Sequence, residues 1–272
     1  MLFLIIILLA VLCYLLLTKG RTGHPGLAEL SKFHYAHRGL HGHGVPENSL
    51  AAFCEALERG YGIELDIHLM ADGNLAVIHD SLLKRTTGRE GRIEELNTAQ
   101  LGDCFLEGTT ETIPEFSQVL NLFSGKAPLI VELKTYDSNY APLCEAACRM
   151  LDGYDGAYCI ESFDPRCIHW LKKHRPDVIR GQLSENSLHL RQTKVPYLLR
   201  FAMTYLLSNG WNRPDFIAYR FENRQNISVK LSRKLWGVQG VSWTLRCQED
   251  FDMAVKEGWI PIFEGFIPKE DS

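Results

Sequence analysis

The sequence predicts an α/β protein: a (β/α)8 barrel with a small insertion after the second strand, preceded by an N-terminal transmembrane helix. Three observations carry that prediction. Strand-like and helix-like segments alternate from Lys32 onward, the pattern of a parallel sheet with helices outside. Roughly eight such units fill roughly 240 residues, near the usual barrel size of about 250. The residues able to do chemistry fall at the C-terminal ends of strands, where such barrels build their sites. A doubly wound open sheet is the alternative, but no Gly-x-Gly-x-x-Gly supports a dinucleotide-binding version of it.

The elements follow in order. Met1 to Leu17 is almost purely apolar, at the short end of the roughly 17–25 residues that span a bilayer core. A cleaved signal peptide would need a positive start and a small-x-small cleavage site, and neither precedes Lys19. Residues 1–18 are therefore expected to be a single-pass anchor. Lys19 and Arg21 follow the apolar run, which places the globular part on the cytoplasmic face of the cell membrane. Residues 19–31 form a linker, polar and rich in Gly and Pro between Thr22 and Leu30, and residues 32–272 the barrel domain. Lys32 to Ala36 reads as a strand entering a His-Arg-Gly turn. Asn48 can cap a helix through Ala51, Ala52, Ala56 and Leu57 that stops near Gly60. Gly62 to His68 is the second strand, and Leu75 to His79 follows an Asp72-Gly73 turn. Leu82 to Thr112 is polar and irregular and reads as the insertion. Further strands are expected over Pro128–Lys134, Ala157–Glu161, Val178–Leu183, Asp215–Tyr219, Val238–Thr244 and Ile260–Phe263. Helices are expected from Ile113, through Cys144 and Leu151, over Pro165–Lys173 and over Glu249–Lys256.

Composition narrows the class. With 272 residues, a net charge of −4 and 46% apolar residues, the chain has no general nucleic-acid-binding character. None of its eight cysteines forms Cys-x-x-Cys or a zinc-finger spacing, and most lie in apolar runs as small buried hydrophobes. A reduced setting suits them.

The chemistry concentrates early. Glu64 and Asp66 sit two apart in a strand, so both carboxylates face one side and suit a hard cation. His37 and His79 each end a strand beside a turn, and two imidazoles titrating near neutral pH can pass protons both ways. His41, His43 and His68 read as loop or surface histidines. Between Leu190 and Gly210, Arg191, Lys194 and Arg200 are mixed with large apolar side chains. A barrel helix packed on the sheet is the preferred reading there; an interfacial helix is the alternative.

In order, the chain carries Ala36-His37-Arg38-Gly39, Pro46-Glu47-Asn48-Ser49, Glu64-Leu65-Asp66-Ile67-His68, Asp72-Gly73, His79-Asp80 and Glu132-Leu133-Lys134. Glu161-Ser162-Phe163-Asp164 and Ser242-Trp243-Thr244 follow. The ordered set resembles the glycerophosphodiester phosphodiesterase family over nearly all of the chain after the linker. The resemblance implies a (β/α)8 barrel and divalent-metal-dependent cleavage of glycerophosphodiesters to glycerol phosphate and an alcohol. It makes Glu64, Asp66 and Glu132 the metal ligands, and carboxylate oxygens suit Mg2+ or Ca2+. It makes His37 and His79 the acid–base pair. A glycerol hydroxyl attacks phosphorus, and water then opens the cyclic glycerol phosphate. Arg38 and Lys134 would hold the phosphate, and Trp243, with Phe163, would line the pocket. Glu47 would brace the metal site or satisfy a loop amide. Two departures stand out: Ile262 to Pro268 replaces the family's Thr-Asp-x-Pro ending, and Arg246 stands where the family often has Asn.

The function expected is thus a membrane-anchored phosphodiesterase acting on a glycerophosphodiester. The alternatives are a lysophospholipase D, or another phospholipase acting on membrane lipids, with a lysophospholipid substrate, and a non-catalytic anchored binding module.

Overall fold

Alternation along each strand decides what this molecule buries. The computed structural model describes residues 1–189 and 195–269. Nine strands form one sheet: β1 (Tyr35–His37), β2 (Gly62–Leu69), β3 (Leu75–Val77), β4 (Leu129–Leu133), β5 (Tyr158–Ser162), β6 (Arg180–Ser184), β7 (Phe216–Arg220), β8 (Gln239–Leu245) and β9 (Trp259–Phe263). All neighbours pair in parallel except β3, which folds back antiparallel on β2. β1 pairs with both β2 and β9, so the eight parallel strands close into a barrel. The altered ending after Ile262 does not impair closure: Tyr35 and Ala36 sit in register with Ile262 and Phe263.

The helices that matter to the site and its surroundings are α1 (Leu2–Leu17), α2 (Leu50–Glu58), α3 (Phe116–Phe123), α4 (Tyr140–Leu151), α5 (Pro165–His174) and α6 (Tyr197–Thr204). They are followed by α7 (Ile227–Lys230, continued by a wider turn over Leu231–Leu235) and α8 (Gln248–Lys256). The larger core lies between strands and helices, where Ile63, Leu65, Ile67, Val131, Leu133 and Ile160 meet helical residues such as Phe53, Phe116 and Leu171. The other face of the same strands fills the barrel axis with Tyr35, Ile130, Cys159, Phe216, Val241 and Ile260. Gly181 is required there, because an added Cβ would lie 2.1 Å from the Phe216 ring. Gly181→Ala is expected to cost about 1–3 kcal/mol by overpacking, read as a lower denaturation midpoint; an unchanged midpoint would contradict this packing.

The structure corrects several expectations. The transmembrane span over residues 1–18 is not supported, because no helix among the described residues is long and apolar enough to cross a membrane. At about 1.5 Å per residue, the 16 residues of α1 rise about 24 Å, short of a hydrocarbon core of about 30 Å. Its last turn is also held by the barrel, where Tyr14 Oη lies 2.5 Å from Ser228 Oγ and Trp236 Nε1 donates to Leu15 O at 3.0 Å. The segment expected as a linker packs on the floor of the barrel: Arg21 pairs with Asp215, and Leu30 joins the axial cluster. The insertion packs Leu83, Ile93 and Leu101 with the flanking Met70, Ile78 and Ile113 into a small core of its own. Of the 190–210 segment, Leu190 to Lys194 lies outside the described residues. Within the remainder, Tyr197–Thr204 forms α6, whose Thr204 is buried against the barrel while Tyr197 and Leu198 are exposed.

Candidate active site

The axial face of the strands turns from apolar to charged at the C-terminal end. Period-two alternation takes β1 from Tyr35 to His37, β4 from Ile130 to Glu132 and Lys134, and β5 from Cys159 to Glu161. One small cup of about 50 Å³ is lined by His37, Arg38, Glu64, His79, Glu132 and Lys134, with Glu161, Phe163 and Trp243 also at its wall. Asp66 lies directly beside it, in register with Glu132. Every residue expected at the site therefore converges on one place. A cleft of about 720 Å³ opens over it, between the insertion and the strand ends. Another cavity, of about 510 Å³ beside Arg233, Glu257 and Trp259, lies at the opposite end of the strands and holds none of these groups.

Glu64, Asp66 and Glu132 are buried, and each offers an oxygen within 4.8 Å of the others. Lys134 Nζ bridges Asp66 Oδ1 at 3.0 Å and Glu132 Oε1 at 2.8 Å. Burial, reinforced by Asp66, Glu132 and Glu161, holds the Glu64 carboxyl well above the usual range. Burial also pushes Glu132 up to about 7, although Lys134 opposes it. For Asp66 the burial penalty is outweighed by Lys134, His79 and Arg38, so its carboxyl is held well below the usual range. Glu161, in register with Glu132, is a fourth buried carboxyl; its pKa is raised by burial and by Glu132, and its Oε2 has no hydrogen-bond partner among the described residues. Among the described residues, the close fixed cations that these four buried carboxyls face are Lys134 and Arg38. That excess of acidic oxygens, one of them orphaned, fits a hard divalent cation.

The His-Arg-Gly turn is built by backbone constraint. Arg38 and Gly39 both have positive φ, and a Cβ on Gly39 would lie 2.8 Å from the Ala52 backbone in α2. The turn lets Arg38 N donate to Glu64 O at 2.9 Å. It also brings the Arg38 side chain to Glu47 at 2.9 Å and to Asp66 at 3.4 Å. Asn48 does not cap α2. Ser49 does, accepting from Ala52 N. Asn48, itself at positive φ, instead donates from Nδ2 to Asp66 Oδ2 at 2.9 Å. A side chain spent on a buried carboxylate cannot also serve the helix end.

Both histidines are held in the same way. His37 Nδ1 bonds Glu264, and His79 Nδ1 bonds Asp80 Oδ1 at 2.6 Å. Each pairing occupies Nδ1, and His37 Nε2 stands 3.8 Å from Glu64 Oε2. Burial lowers both pKa values, though Glu264 pulls His37 up and Asp66 pulls His79 up. His68 is not a surface residue: it is buried, links Glu94 at 2.7 Å to the His79 carbonyl at 3.1 Å, and so steadies the loop under His79. His43 is exposed, and His41 lies beside His37 and Glu264.

Sequence reasoning missed Glu264, Asp80, Glu161 and Arg85 as working parts. Arg85, from the insertion, ties Asp80 to Glu47, which it meets at 2.7 Å. Glu264 continues the axial alternation of Ile260 and Ile262, and Glu161 that of Cys159, so period two was the available signal. Arg246 is explained by its pairing with Glu264 at 3.2 Å. Glu264 fixes the Nδ1 side of the His37 ring. Glu264→Gln is expected to lower kcat about tenfold. Removing its upward pull should also move the His37 limb of the pH–rate profile to lower pH. A profile unchanged in both respects would leave Glu264 a structural role only.

A model of the glycerophosphoryl diester phosphodiesterase family matches residues 37–267 of this chain. The YhdW protein of Bacillus subtilis is 38% identical over 232 residues, 76% of this chain and 91% of that one. A glycerophosphodiester phosphodiesterase of Bacillus altitudinis is 41% identical over 113 residues, 39% of this chain and 46% of that protein's length. Among solved structures, an Oleispira antarctica phosphodiesterase described in complex with its product sn-glycerol-3-phosphate is similar, with a TM-score of 0.70 at 22% identity. That similarity covers 90% of this chain and 95% of the other.

Proposed function

Because this chain belongs to the glycerophosphoryl diester phosphodiesterase family, we propose that it hydrolyses glycerophosphodiesters to glycerol 3-phosphate and an alcohol, using a divalent cation and the His37/His79 pair. One observation carries the reading. Two imidazoles, each with Nδ1 fixed by a carboxylate, line the same cup as Glu64, Glu132, Lys134 and Arg38.

Glu64, Asp66, Glu132 and the neighbouring Glu161 would hold Mg2+ or Ca2+, which when bound would polarise a phosphoryl oxygen. Arg38 and Lys134 face the same space and offset the charge that builds on the phosphoryl oxygens. One histidine Nε2 takes the proton of the attacking glycerol hydroxyl as its oxygen bonds to phosphorus. The other gives a proton to the departing alkoxide, which leaves as the alcohol. The cyclic glycerol phosphate is then opened by water with the two roles exchanged, returning both imidazoles to their starting states. Phe163 and Trp243, in edge contact at 5.6 Å, form the wall against which the glycerol moiety packs. The Trp243 Nε1, buried and without a partner among the described residues, is a donor available to that substrate.

A second reading of the substrate rests on a specific feature. A trough of about 720 Å³, lined by Phe163, Pro165, Val195, Leu199 and Met203, joins the mouth at Phe163 and suits the alkyl chain of a lysophospholipid. The exposed apolar α1 would hold the enzyme at a membrane where such substrates lie. The test is turnover of glycerophosphocholine and of lysophosphatidylcholine by the purified protein, with Mg2+ or Ca2+ and with EDTA. Metal-dependent release of choline from the first supports the main reading. Release from the lysolipid alone favours the second. No turnover of either by folded protein leaves a binding module.

A further inference from the structure

The direction of α1 relative to the barrel says which face of the enzyme meets lipid. The floor end of α1 is fixed at Trp236, which follows α7 and precedes β8. Trp236 Nε1 donates to Leu15 O at 3.0 Å and to Thr18 Oγ1 at 3.3 Å, and Lys19 Nζ stands 4.9 Å above its ring. Four residues earlier, Tyr14 Oη meets Ser228 Oγ at 2.5 Å. Ser228 opens α7, just after β7, and so lies toward the catalytic end of the strands. Read from Thr18 back to Met1, α1 therefore climbs beside α7 from the floor toward the mouth. Residues 2–13 continue past Ser228, and Leu2 to Leu9 are between 44% and 73% exposed.

A second apolar element occupies the same part of the rim. α6 is seated over the mouth ends of β6 and β7. Its Met203 carbonyl accepts from Ser184 Oγ at 2.7 Å, and its Thr204 carbonyl accepts from Tyr219 Oη at 2.8 Å. Asn226, two residues before Ser228, donates to that same Thr204 carbonyl at 3.1 Å, so α6 and the path of α1 adjoin. Tyr197 is 61% and Leu198 78% exposed on the outer side of α6. On its inner side Leu199 and Met203 line the trough that runs to Phe163 at the mouth.

The occupant follows from chemistry. A helix with one apolar stripe suits a protein groove, whereas a helix apolar on every face suits lipid. Residues 2–17 carry no charged side chain and show no polar face. We infer that this protein docks with its catalytic mouth against a lipid bilayer, α1 entering the hydrocarbon and Tyr197 and Leu198 of α6 resting at the interface. The trough then lies open to the bilayer surface, and substrate enters from the lipid side. The inference rests on the membrane attachment proposed above and adds its orientation.

Amide hydrogen exchange of the full chain, with and without phosphatidylcholine–phosphatidylglycerol vesicles, tests it. Slower exchange is expected in α1 and over residues 195–204, with none at the floor segments 124–128 and 152–157. Slowing in α1 alone would leave a tether and overturn the docked orientation. Slowing at the floor, or no vesicle binding, would also overturn it. Protection that grows with protein concentration without vesicles would make a second copy the occupant and equally end the proposal. Leu198→Asp should weaken vesicle partitioning about tenfold while glycerophosphocholine turnover in solution stays unchanged; unchanged partitioning counts against the docking. That soluble turnover reports on the phosphodiesterase reading separately.

Discussion

Turnover of glycerophosphocholine should fall by about 10²–10⁴-fold in both His37→Ala and His79→Ala, the range expected when a positioned acid or base is lost. The two losses should be similar, because in the proposed mechanism the second step reverses the roles of the first and each imidazole is needed in both. The double variant should be little worse than either single one, since one surviving histidine cannot complete the cycle. Folding should survive both changes. The two rings are held only at the mouth, through Glu264 and Asp80, and the apolar axial cluster beneath them is untouched. Circular dichroism and cation titration should match the wild type. A variant with wild-type turnover would remove that histidine from the mechanism.

The second large effect concerns the carboxylates. Asp66→Asn and Glu64→Gln should each weaken cation binding by at least about 100-fold, exceeding the 10–100-fold typical of residues outside the ligand set. Asp66 should be the more damaging of the two. It takes Lys134 at 3.0 Å, Arg38 at 3.4 Å and Asn48 at 2.9 Å, so the amide disturbs three partners as well as the cation. Glu64 is surrounded mainly by other acids, and burial with those neighbours already raises its pKa. Its amide should therefore be well tolerated by the fold, and Glu64→Gln without cation should be at least as stable as the wild type. Calorimetric titration with Mg2+ or Ca2+ checks the first expectation, and thermal unfolding in EDTA the second. Unchanged affinity in both variants would contradict the ligand assignment.

How much of this was legible along the chain varies with the range of the interaction. Strand and helix order was readable because apolar spacing is local. The Glu64/Asp66 pair was readable because two residues in one strand share a face whatever the strand packs on. Asn48 was misread for the same reason in reverse: locally it is a good helix cap, and only the approach of β2, eighteen residues on, makes Asp66 its partner. Glu264 was hidden because it meets His37 only when β9 closes on β1 across 227 residues of sequence. Along the chain His68 reads as a surface group, since its partner Glu94 comes from an insertion whose polar sequence obscures its core.

By itself the sequence determined which side chains could do acid–base and cation chemistry, and that they belong to a repeating β/α chain, because residue identity and spacing are properties of the chain alone. Tertiary structure decided what stands behind each of them. It placed Glu264 behind His37, a fourth acid beside Glu132, and the apolar α1 alongside α7. Those are through-space contacts, made when closure of the barrel brings distant segments together; period-two alternation gives the face of each residue and not its partner.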